Sequence, residues 1–208
     1  MSTLSSIFDP LGLLAPITIK GKLLLQQLWL ENCKWDDLLE DEFIASFNNF
    51  FDDLNKLTRI QIPRYIRTSN SRILELHGFG DASSQAYSAV ISDDSIHVTL
   101  VCAKTKIAPT RSKCTIPELE LCAALLITEL LKSVAEIYNC PLENQFAYSD
   151  STIVLSYLAK DPTFWKVFVA NRVAKIIQYM SLSQWGQLAA ILIRLIWPPG
   201  LSQIWRED

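Results

Sequence analysis

Three acidic residues, Asp81, Glu120 and Asp150, have a spacing that suits metal-dependent chemistry on phosphate esters. Asp81 and Asp150 each end a stretch with the pattern of a β-strand, and Glu120 lies in the first turn of a long predicted helix. If the two strands are neighbours, their carboxyl ends place Asp81 and Asp150 side by side, and the helix can lean Glu120 over them. Carboxylates so close repel unless a cation neutralises them, and such hard oxygen ligands suit Mg²⁺ or Mn²⁺. Two such ions can clamp the attacking and leaving oxygens of an in-line phosphoryl displacement.

Each of these carboxylates also has an ordinary structural interpretation. An Asp at the end of a strand commonly forms a turn or caps a helix, and a Glu near a helix start stabilises the helix dipole. Spacing alone does not decide between these interpretations and a metal site.

The surrounding elements are predicted from hydrophobic patterning. Four stretches have the pattern of strands: 74–79, 86–92, 96–104 and 145–149. In the third, Ile96, Val98, Leu100 and Cys102 are expected on one face. Three stretches favour helices: 118–138, a segment from residue 150 or 151, and 168–180. The order βββ–α–β–α–α predicts an α/β fold with a mixed sheet flanked by helices.

A small helical subdomain is expected before this sheet, over residues 1–68. Two helical stretches are predicted there, at 21–30 and 43–57. Pro63 and the polar run that follows indicate a boundary with the sheet domain, which is expected to cover residues 69–186.

Composition limits the classes of function. The chain has 208 residues, half of them hydrophobic, and a net charge of −3, so nucleic-acid contact needs a local basic patch or further domains. Its five cysteines form no Cys-x-x-Cys pair and it has only two histidines, so spacing indicates no zinc site. The longest apolar stretches are too short to span a bilayer. We therefore expect an intracellular chain, in the cytoplasm or nucleus, with no membrane contact.

Three strings resemble the core motifs of ribonuclease H domains, in the order of that family: Phe79-Gly-Asp-Ala-Ser83, Ile116-Pro-Glu-Leu-Glu-Leu-Cys-Ala-Ala124 and Tyr148-Ser-Asp-Ser-Thr-Ile-Val154. The resemblance implies a mixed five-stranded sheet, with Asp81, Glu120 and Asp150 as catalytic metal ligands for two Mg²⁺ or Mn²⁺ ions. It places the helix acid directly before Leu-x-Ala-Ala, which is Glu120. Glu118 is therefore expected to be a surface residue.

Further strings resemble the Pao family of BEL/Pao retrotransposon polyproteins: Ile7-Phe-Asp-Pro-Leu-Gly-Leu-Leu-Ala-Pro16, Lys20-Gly-Lys-Leu-Leu-Leu-Gln-Gln-Leu-Trp29 and Phe168-Val-Ala-Asn-Arg-Val173. This likeness covers about residues 4–186. It implies that the N-terminal helices correspond to the thumb and connection after a reverse-transcriptase palm, and that a reverse-transcriptase domain of a larger polyprotein is a partner. No Tyr-x-Asp-Asp or Asp-Thr/Ser-Gly string occurs, so neither polymerase nor protease activity is predicted.

The tail, residues 187–208, departs from that family, whose members end with a segment like Asn-Pro-Ala-Asp-Leu-Ala-Ser-Arg that carries a fourth metal ligand. The residues of Ile193-Arg-Leu-Ile-Trp-Pro-Pro-Gly200 can be encoded ATC CGG CTG ATT TGG CCT CCA GGG. One added A at the front shifts the frame to AAT CCG GCT GAT TTG GCC TCC AGG, which encodes the family segment. We hypothesise a one-base frame change between about residues 185 and 193. The fourth ligand and the usual last strand are then expected to be replaced by an apolar tail, which leaves an incomplete two-metal site.

Three functional hypotheses follow. The first is a metal-dependent endonuclease that cleaves the RNA strand of RNA–DNA hybrids, with activity impaired by the tail. Its candidate substrate contacts are Ser83, Ser149, Ser151, Trp165, Lys166 and Arg172, with 2′-OH groups in the minor groove distinguishing RNA. For Trp165, Lys166 and Arg172, ordinary packing explains the residue types equally well. The second is a catalytically inactive retroelement fragment, and the third is a non-enzymatic module that binds nucleic acid or protein.

Overall fold

The structure is a computed structural model that describes residues 6–34, 36–57, 75–93, 99–110 and 114–188. The described strands are β1 (Leu76–Ala82), β2 (Ala86–Asp93), β3 (Thr99–Ile107), β4 (Gln145–Ser149) and β5 (Trp185–Gln187). The described α-helices are α1 (Ala15–Leu30), α2 (Asp41–Lys56), α3 (Ile116–Tyr138), α4 (Thr152–Leu158) and α5 (Val167–Tyr179). Among the described residues, short 3₁₀-helices cover Leu142–Asn144, Pro162–Phe164 and Leu182–Gln184.

The strands form one mixed sheet in the order β3-β2-β1-β4-β5. β1 pairs antiparallel with β2, and β2 with β3, whereas β1 and β4, and β4 and β5, are parallel. The predicted mixed sheet with flanking helices, preceded by a helical region, is confirmed.

The expectation that the last strand would be lost is wrong, because β5 pairs with β4 over three residues. Its position is held by Trp185, which is buried in the main core cluster with 8% of its surface exposed. Gly186 lies against the ring of Tyr148, so close that a Cβ there would stand 2.8 Å from Cδ1. A buried ring and a close backbone approach therefore keep this short strand on the sheet.

The main core lies between one face of the sheet and α3, α4 and α5. Leu121, Ile127 and Leu131 of α3 are fully buried in it. α3 approaches β1 closely, since a Cβ built on Gly78 would lie 2.4 Å from Cγ2 of Ile127. The glycines of β1 thus allow the long helix to pack directly on the centre of the sheet.

A second cluster joins the N-terminal helices to the opposite face of the sheet. Ala15 and Ile17 of α1 and Phe50 of α2 pack with β-strand residues of this face, which are Val90, Leu100 and Ala103. The helical region therefore shares a hydrophobic core with β2 and β3.

The prediction that Leu100 and Cys102 share one face of β3 is wrong. Leu100 belongs to the cluster with α1 and α2, whereas Cys102 belongs to the cluster with α3. Leu100 pairs with Ser92 and Cys102 with Ile91, so Val101 is an additional residue that breaks the alternation. Ile96 and Val98 lie outside the described residues.

The segment before α1 shows how the Asp-Pro-Leu-Gly string works structurally. Both carboxylate oxygens of Asp9 accept backbone N–H groups at the start of α1, from Leu13 at 2.9 Å and from Leu14 at 2.8 Å. The N–H of Ala103 donates to the carbonyl oxygen of Leu11 at 2.8 Å. Gly12 has φ of +70°, and a Cβ there would stand 1.8 Å from the Ala103 carbonyl oxygen. This string therefore fastens the start of α1 to β3.

The expected boundary near residue 68 and the tail from residue 189 lie outside the described residues. All five cysteines are free thiols. Among the described helices, none is long and apolar enough to cross a membrane.

Candidate metal and nucleic-acid site

The candidate site is centred on the parallel pairing of β1 and β4. Gly80 and Ser149 are register partners in this pair, so Asp81 and Asp150 are the next residues on two neighbouring chains. Neighbouring strands lie about 4.8 Å apart. The predicted adjacency of the two strands is confirmed, and Asp81 and Asp150 each follow directly after the last paired residues.

Asp81 lies on the sheet face that carries a stack of aromatic rings, because side chains alternate along a strand. Phe79 stacks on Tyr148 with 5.1 Å between ring centroids, and His77 stacks on Tyr148 at 5.9 Å. One carboxylate oxygen of Asp81, Oδ1, accepts the N–H of Ala82 at 2.7 Å. The stacked rings therefore lie along the same face of the sheet as Asp81 and precede it along β1 and β4.

Asp150 holds a buried polar atom without a partner. Its Oδ1 is shielded from solvent and accepts no hydrogen bond from the described part of the chain. Because an unpaired buried carboxylate oxygen is costly, this atom is the part of the site that most needs a cation or another donor.

Glu120 reaches the same end of the sheet from α3. Its flanking residues Leu119 and Leu121 are fully buried, which fixes the helix at this point. Its Oε2 accepts a hydrogen bond from the hydroxyl of Ser151 at 2.6 Å. Glu120 is therefore tied to the residue that directly follows Asp150.

Glu118, two residues earlier, has a different role. Its Oε2 accepts the backbone N–H of Thr115 at 2.8 Å and the Thr115 hydroxyl at 3.0 Å, in a capping box at the start of α3. The backbone hydrogen bond from Thr115, followed by the hydroxyl bond, lowers the pKa of the Glu118 carboxyl below its ordinary value. This carboxylate serves the helix terminus.

The three carboxylates converge on one end of the sheet without forming a ready cation cage. Within the described ranges, no group of three or more His, Cys, Asp or Glu side chains is placed to hold a metal ion. The chemistry of the set nevertheless fits a hard divalent cation, because all donors are carboxylate oxygens and Oδ1 of Asp150 lacks a partner.

The three candidate serines all make local hydrogen bonds. Ser83 is exposed, and its hydroxyl oxygen accepts the N–H groups of Gln85 and Ala86, each at 3.2 Å, in the turn between β1 and β2. Ser149 and Ser151 are buried, and the Ser149 hydroxyl oxygen accepts the N–H of Ser151 at 3.2 Å. Of the three serines, only Ser83 is exposed to solvent.

The basic and aromatic candidates lie around the start of α5. Trp165 donates its ring N–H to the Tyr157 carbonyl oxygen at 3.3 Å and packs edge-on against the Tyr157 ring. Lys160 lies 5.5 Å from the Trp165 ring centroid. Lys166 is exposed at the residue before α5. These residues form a partly exposed aromatic and basic surface.

Arg172 is held in place by three contacts. Its Nε donates to the Cys122 sulfur at 3.2 Å, its Nη1 donates to the Phe168 carbonyl oxygen at 2.9 Å, and its guanidinium carbon lies 3.5 Å from the Phe168 ring centroid. The pairing of Cys122 with Arg172 was not predicted, because the residues are 50 positions apart and neither has a local signal. Burial raises the pKa of the Cys122 thiol, while the hydrogen bond from Arg172 lowers it by a smaller amount.

Comparison with known proteins supplies the family. The family model of the Pao retrotransposon-like RNaseH-like domain matches residues 1–151, which include all three candidate carboxylates. No curated protein matches the chain significantly.

Solved structures resemble the fold at low sequence identity. The foamy viral protease-reverse transcriptase in complex with dsDNA has a TM-score of 0.53 and 12% identity, over 90% of this chain and 40% of that one. The foamy viral protease-reverse transcriptase dRH with dsDNA has a TM-score of 0.52 and 12% identity, over 90% and 34%. RNase H1 from Halobacterium salinarum NRC-1 has a TM-score of 0.39 and 11% identity, over 65% and 98%.

The chain spans less than half the length of the two foamy viral polypeptides. The family match, by contrast, covers well over half of this chain and includes Asp81, Glu120 and Asp150. The chain therefore belongs to the Pao retrotransposon-like RNaseH-like domain family.

Proposed function

We propose that this chain is a metal-dependent endonuclease that hydrolyses the RNA strand of RNA–DNA hybrids. The observation that carries the proposal is the parallel register of β1 and β4, which sets Asp81 and Asp150 on neighbouring strand ends. The hydrogen bond from Ser151 to Glu120 adds the third carboxylate to the same end.

Asp81, Glu120 and Asp150 would hold Mg²⁺ or Mn²⁺ in this site. A bound divalent cation supplies charge neutralisation at the phosphate and a polarised water as nucleophile. The chain itself contributes positioning: strand pairing sets the two aspartates, and buried neighbours of Glu120 set the third carboxylate. A bound cation would stabilise Oδ1 of Asp150 most, because this buried oxygen has no hydrogen-bond partner among the described residues.

Hybrid contacts are proposed for two surfaces. Ser83 lies at the turn beside Asp81, where a hydroxyl can reach a 2′-OH or phosphate oxygen. Trp165, Lys166 and Arg172 form the second surface, with Lys166 available to a phosphate and Arg172 held rigidly for one. Ser149 and Ser151 are buried, and their role as hybrid contacts has less support.

A larger assembly is proposed from the comparison with reverse transcriptases. The foamy viral proteins of similar fold were solved with dsDNA, and this chain spans 40% and 34% of their lengths. We infer that residues 1–68 act as a thumb- and connection-like region, that residues 69–186 act as the nuclease, and that a reverse-transcriptase domain is the partner. Such a partner would work in the cytoplasm or nucleus.

The test is cleavage of a labelled RNA–DNA hybrid with Mg²⁺ or Mn²⁺ by the wild-type chain, Asp150→Asn and Glu118→Gln. We expect metal-dependent cleavage by the wild type and by Glu118→Gln, because Gln also completes a capping box. Asp150→Asn is expected to lose cleavage. Equal cleavage by wild type and Asp150→Asn, or no cleavage by folded wild-type chain, would refute the proposal.

A second candidate function is hybrid binding without cleavage. It is favoured by the finding that the described side chains do not form a ready metal group. In that case the folded chain binds the hybrid with an affinity that falls as salt rises, and no product appears with either metal.

We also propose that the tail, residues 187–208, results from the one-base frame change. Sequencing the encoding nucleic acid tests this directly, because codons other than those required for Ile193–Gly200 would exclude it. If the codons agree, a chain with the restored Asn-Pro-Ala-Asp-Leu-Ala-Ser-Arg segment is expected to cleave the hybrid faster than this chain, since a fourth carboxylate returns.

A further inference from the structure

Ser151 links the end of β4 to Glu120 of α3 by a side-chain hydrogen bond. Its backbone follows Asp150 at the end of β4, and its hydroxyl donates to Oε2 of Glu120 on α3. The 2.6 Å distance lies in the range of a charge-assisted O–H···O⁻ hydrogen bond. One side chain thus connects the strand-borne and helix-borne carboxylates.

The direction of this hydrogen bond is fixed by the other contacts of the serine. The Ser151 hydroxyl oxygen accepts the N–H of Val154, as the N-cap of α4, at 3.3 Å. A hydroxyl has one proton to donate, and here that proton goes to Glu120. The Ser151 N–H in turn donates to the Ser149 hydroxyl, so the residue is held from both sides.

Burial excludes Ser151 from a direct role at the surface. Ser151 is 7% exposed, and Val154, whose N–H donates to its hydroxyl, is fully buried in the main core. A group so enclosed cannot present its hydroxyl to a hybrid without leaving both of its hydrogen bonds. The contacts therefore favour a partner inside the chain over a nucleic-acid partner.

We propose that Ser151 is a positioning residue that orients Glu120 for divalent cation binding, and that it does not contact the hybrid. The proposal rests on the proposed function, because it assumes that Glu120 is a metal ligand. With Oε2 engaged by Ser151, Oε1 accepts no hydrogen bond from the described residues and remains for a cation. Groups that orient metal ligands typically contribute about 10–100-fold to metal affinity.

The test is titration of the chain with Mn²⁺ by calorimetry, for the wild type, Ser151→Ala, Ser151→Gly and Ser151→Thr. Gly is tolerated at an N-cap, so it removes the hydroxyl while sparing the helix start, and Thr keeps a hydroxyl donor. Ser156→Ala is the matched control, since its exposed hydroxyl only donates to the Thr152 carbonyl oxygen in the same helix. Thermal unfolding of each variant reports whether it is folded.

We expect Ser151→Ala and Ser151→Gly to bind Mn²⁺ about 10–100-fold more weakly, with Ser151→Thr and Ser156→Ala close to the wild type. In cleavage assays, kcat at a fixed metal concentration is expected to fall while KM for the hybrid stays unchanged. If Ser151→Ala binds Mn²⁺ as tightly as the wild type but has a raised KM for the hybrid, Ser151 is a hybrid contact. That result would overturn this inference and leave the proposed function intact. Absence of Mn²⁺ binding by the wild-type chain would instead overturn the proposed function, and the inference with it.

Discussion

Asp150→Asn is expected to change stability in opposite directions with and without metal. Oδ1 of Asp150 is buried and has no donor among the described residues. Asp81 lies on the neighbouring strand end and adds a second carboxylate to the same region. Asp150 is half-buried, and replacing its carboxylate by a neutral amide of the same shape removes the charge from the buried Oδ1 and keeps the size of the side chain.

The magnitude follows from the cost of an unsatisfied buried group, which is about 1–3 kcal/mol and larger when the group is charged. Because an amide still leaves one polar atom without a partner, we expect only part of that cost to be recovered, about 1 kcal/mol. For a chain of this size such a gain raises the Tm by about 2–4 °C. In contrast, Mn²⁺ at ten times its Kd stabilises a binding-competent wild type by about 1.4 kcal/mol.

The assay is thermal unfolding of wild type and Asp150→Asn, first with EDTA and then with Mn²⁺, with Glu143→Gln as an exposed-carboxylate control. The variant is expected to unfold at a higher temperature than the wild type in EDTA and to respond less to Mn²⁺. A wild type that is the more stable protein in EDTA would show that Oδ1 is satisfied in solution, which would contradict this reasoning.

Three other perturbations test separate parts of the structure. Gly12→Ala is expected to cost more than about 1 kcal/mol in urea unfolding, since a Cβ would meet the Ala103 carbonyl oxygen at a positive φ; an unchanged midpoint would contradict the contact. Wild type should be more stable than Glu118→Gln at neutral pH, because Thr115 lowers the pKa of this carboxyl in the folded chain. Because the pKa of Glu118 is lowered on folding, its charged form stabilises the folded chain at pH values above its unfolded pKa near 4.5. The difference in unfolding free energy between wild type and Glu118→Gln should therefore disappear as the pH falls through the folded pKa. A difference that stays constant with pH would contradict this prediction. Burial raises the pKa of Cys102 to about 11, so its alkylation at pH 8 should occur only with unfolding, as mass spectrometry of labelled peptides can show.

Much of the fold was predictable because local patterns agree with the tertiary structure. The strand predicted at 145–149 is β4, and the helix predicted at 118–138 forms as Ile116–Tyr138, with Pro117 in its first turn. The adjacency of Asp81 and Asp150 was also predictable, since it depends only on two strands being parallel neighbours. These features follow from periodicity and helix-terminus signals that act over a few residues.

Other features depend on contacts between distant residues and left no local pattern. The additional residue Val101 in β3 is set by pairing with β2, so alternation along the strand assigned Cys102 to the wrong face. The hydrogen bond from Ser151 to Glu120 spans 31 positions. The last strand was implied by the family resemblance but expected to be lost with the frame-changed tail; it is present because Trp185, before that tail, is buried in the main core.

The convergence of the three carboxylates follows from topology. A parallel pair such as β1 and β4 requires a crossover connection, and here that connection contains the β2–β3 hairpin and α3. Because α3 must return across the sheet to start β4, its packing decides where Glu120 lies relative to the strand ends. That packing depends on Gly78, where any Cβ would collide with Ile127 of α3. We therefore expect Gly78→Ala to require a shift of Ile127, and a helix that moves with Ile127 would lengthen the hydrogen bond between Ser151 and Glu120.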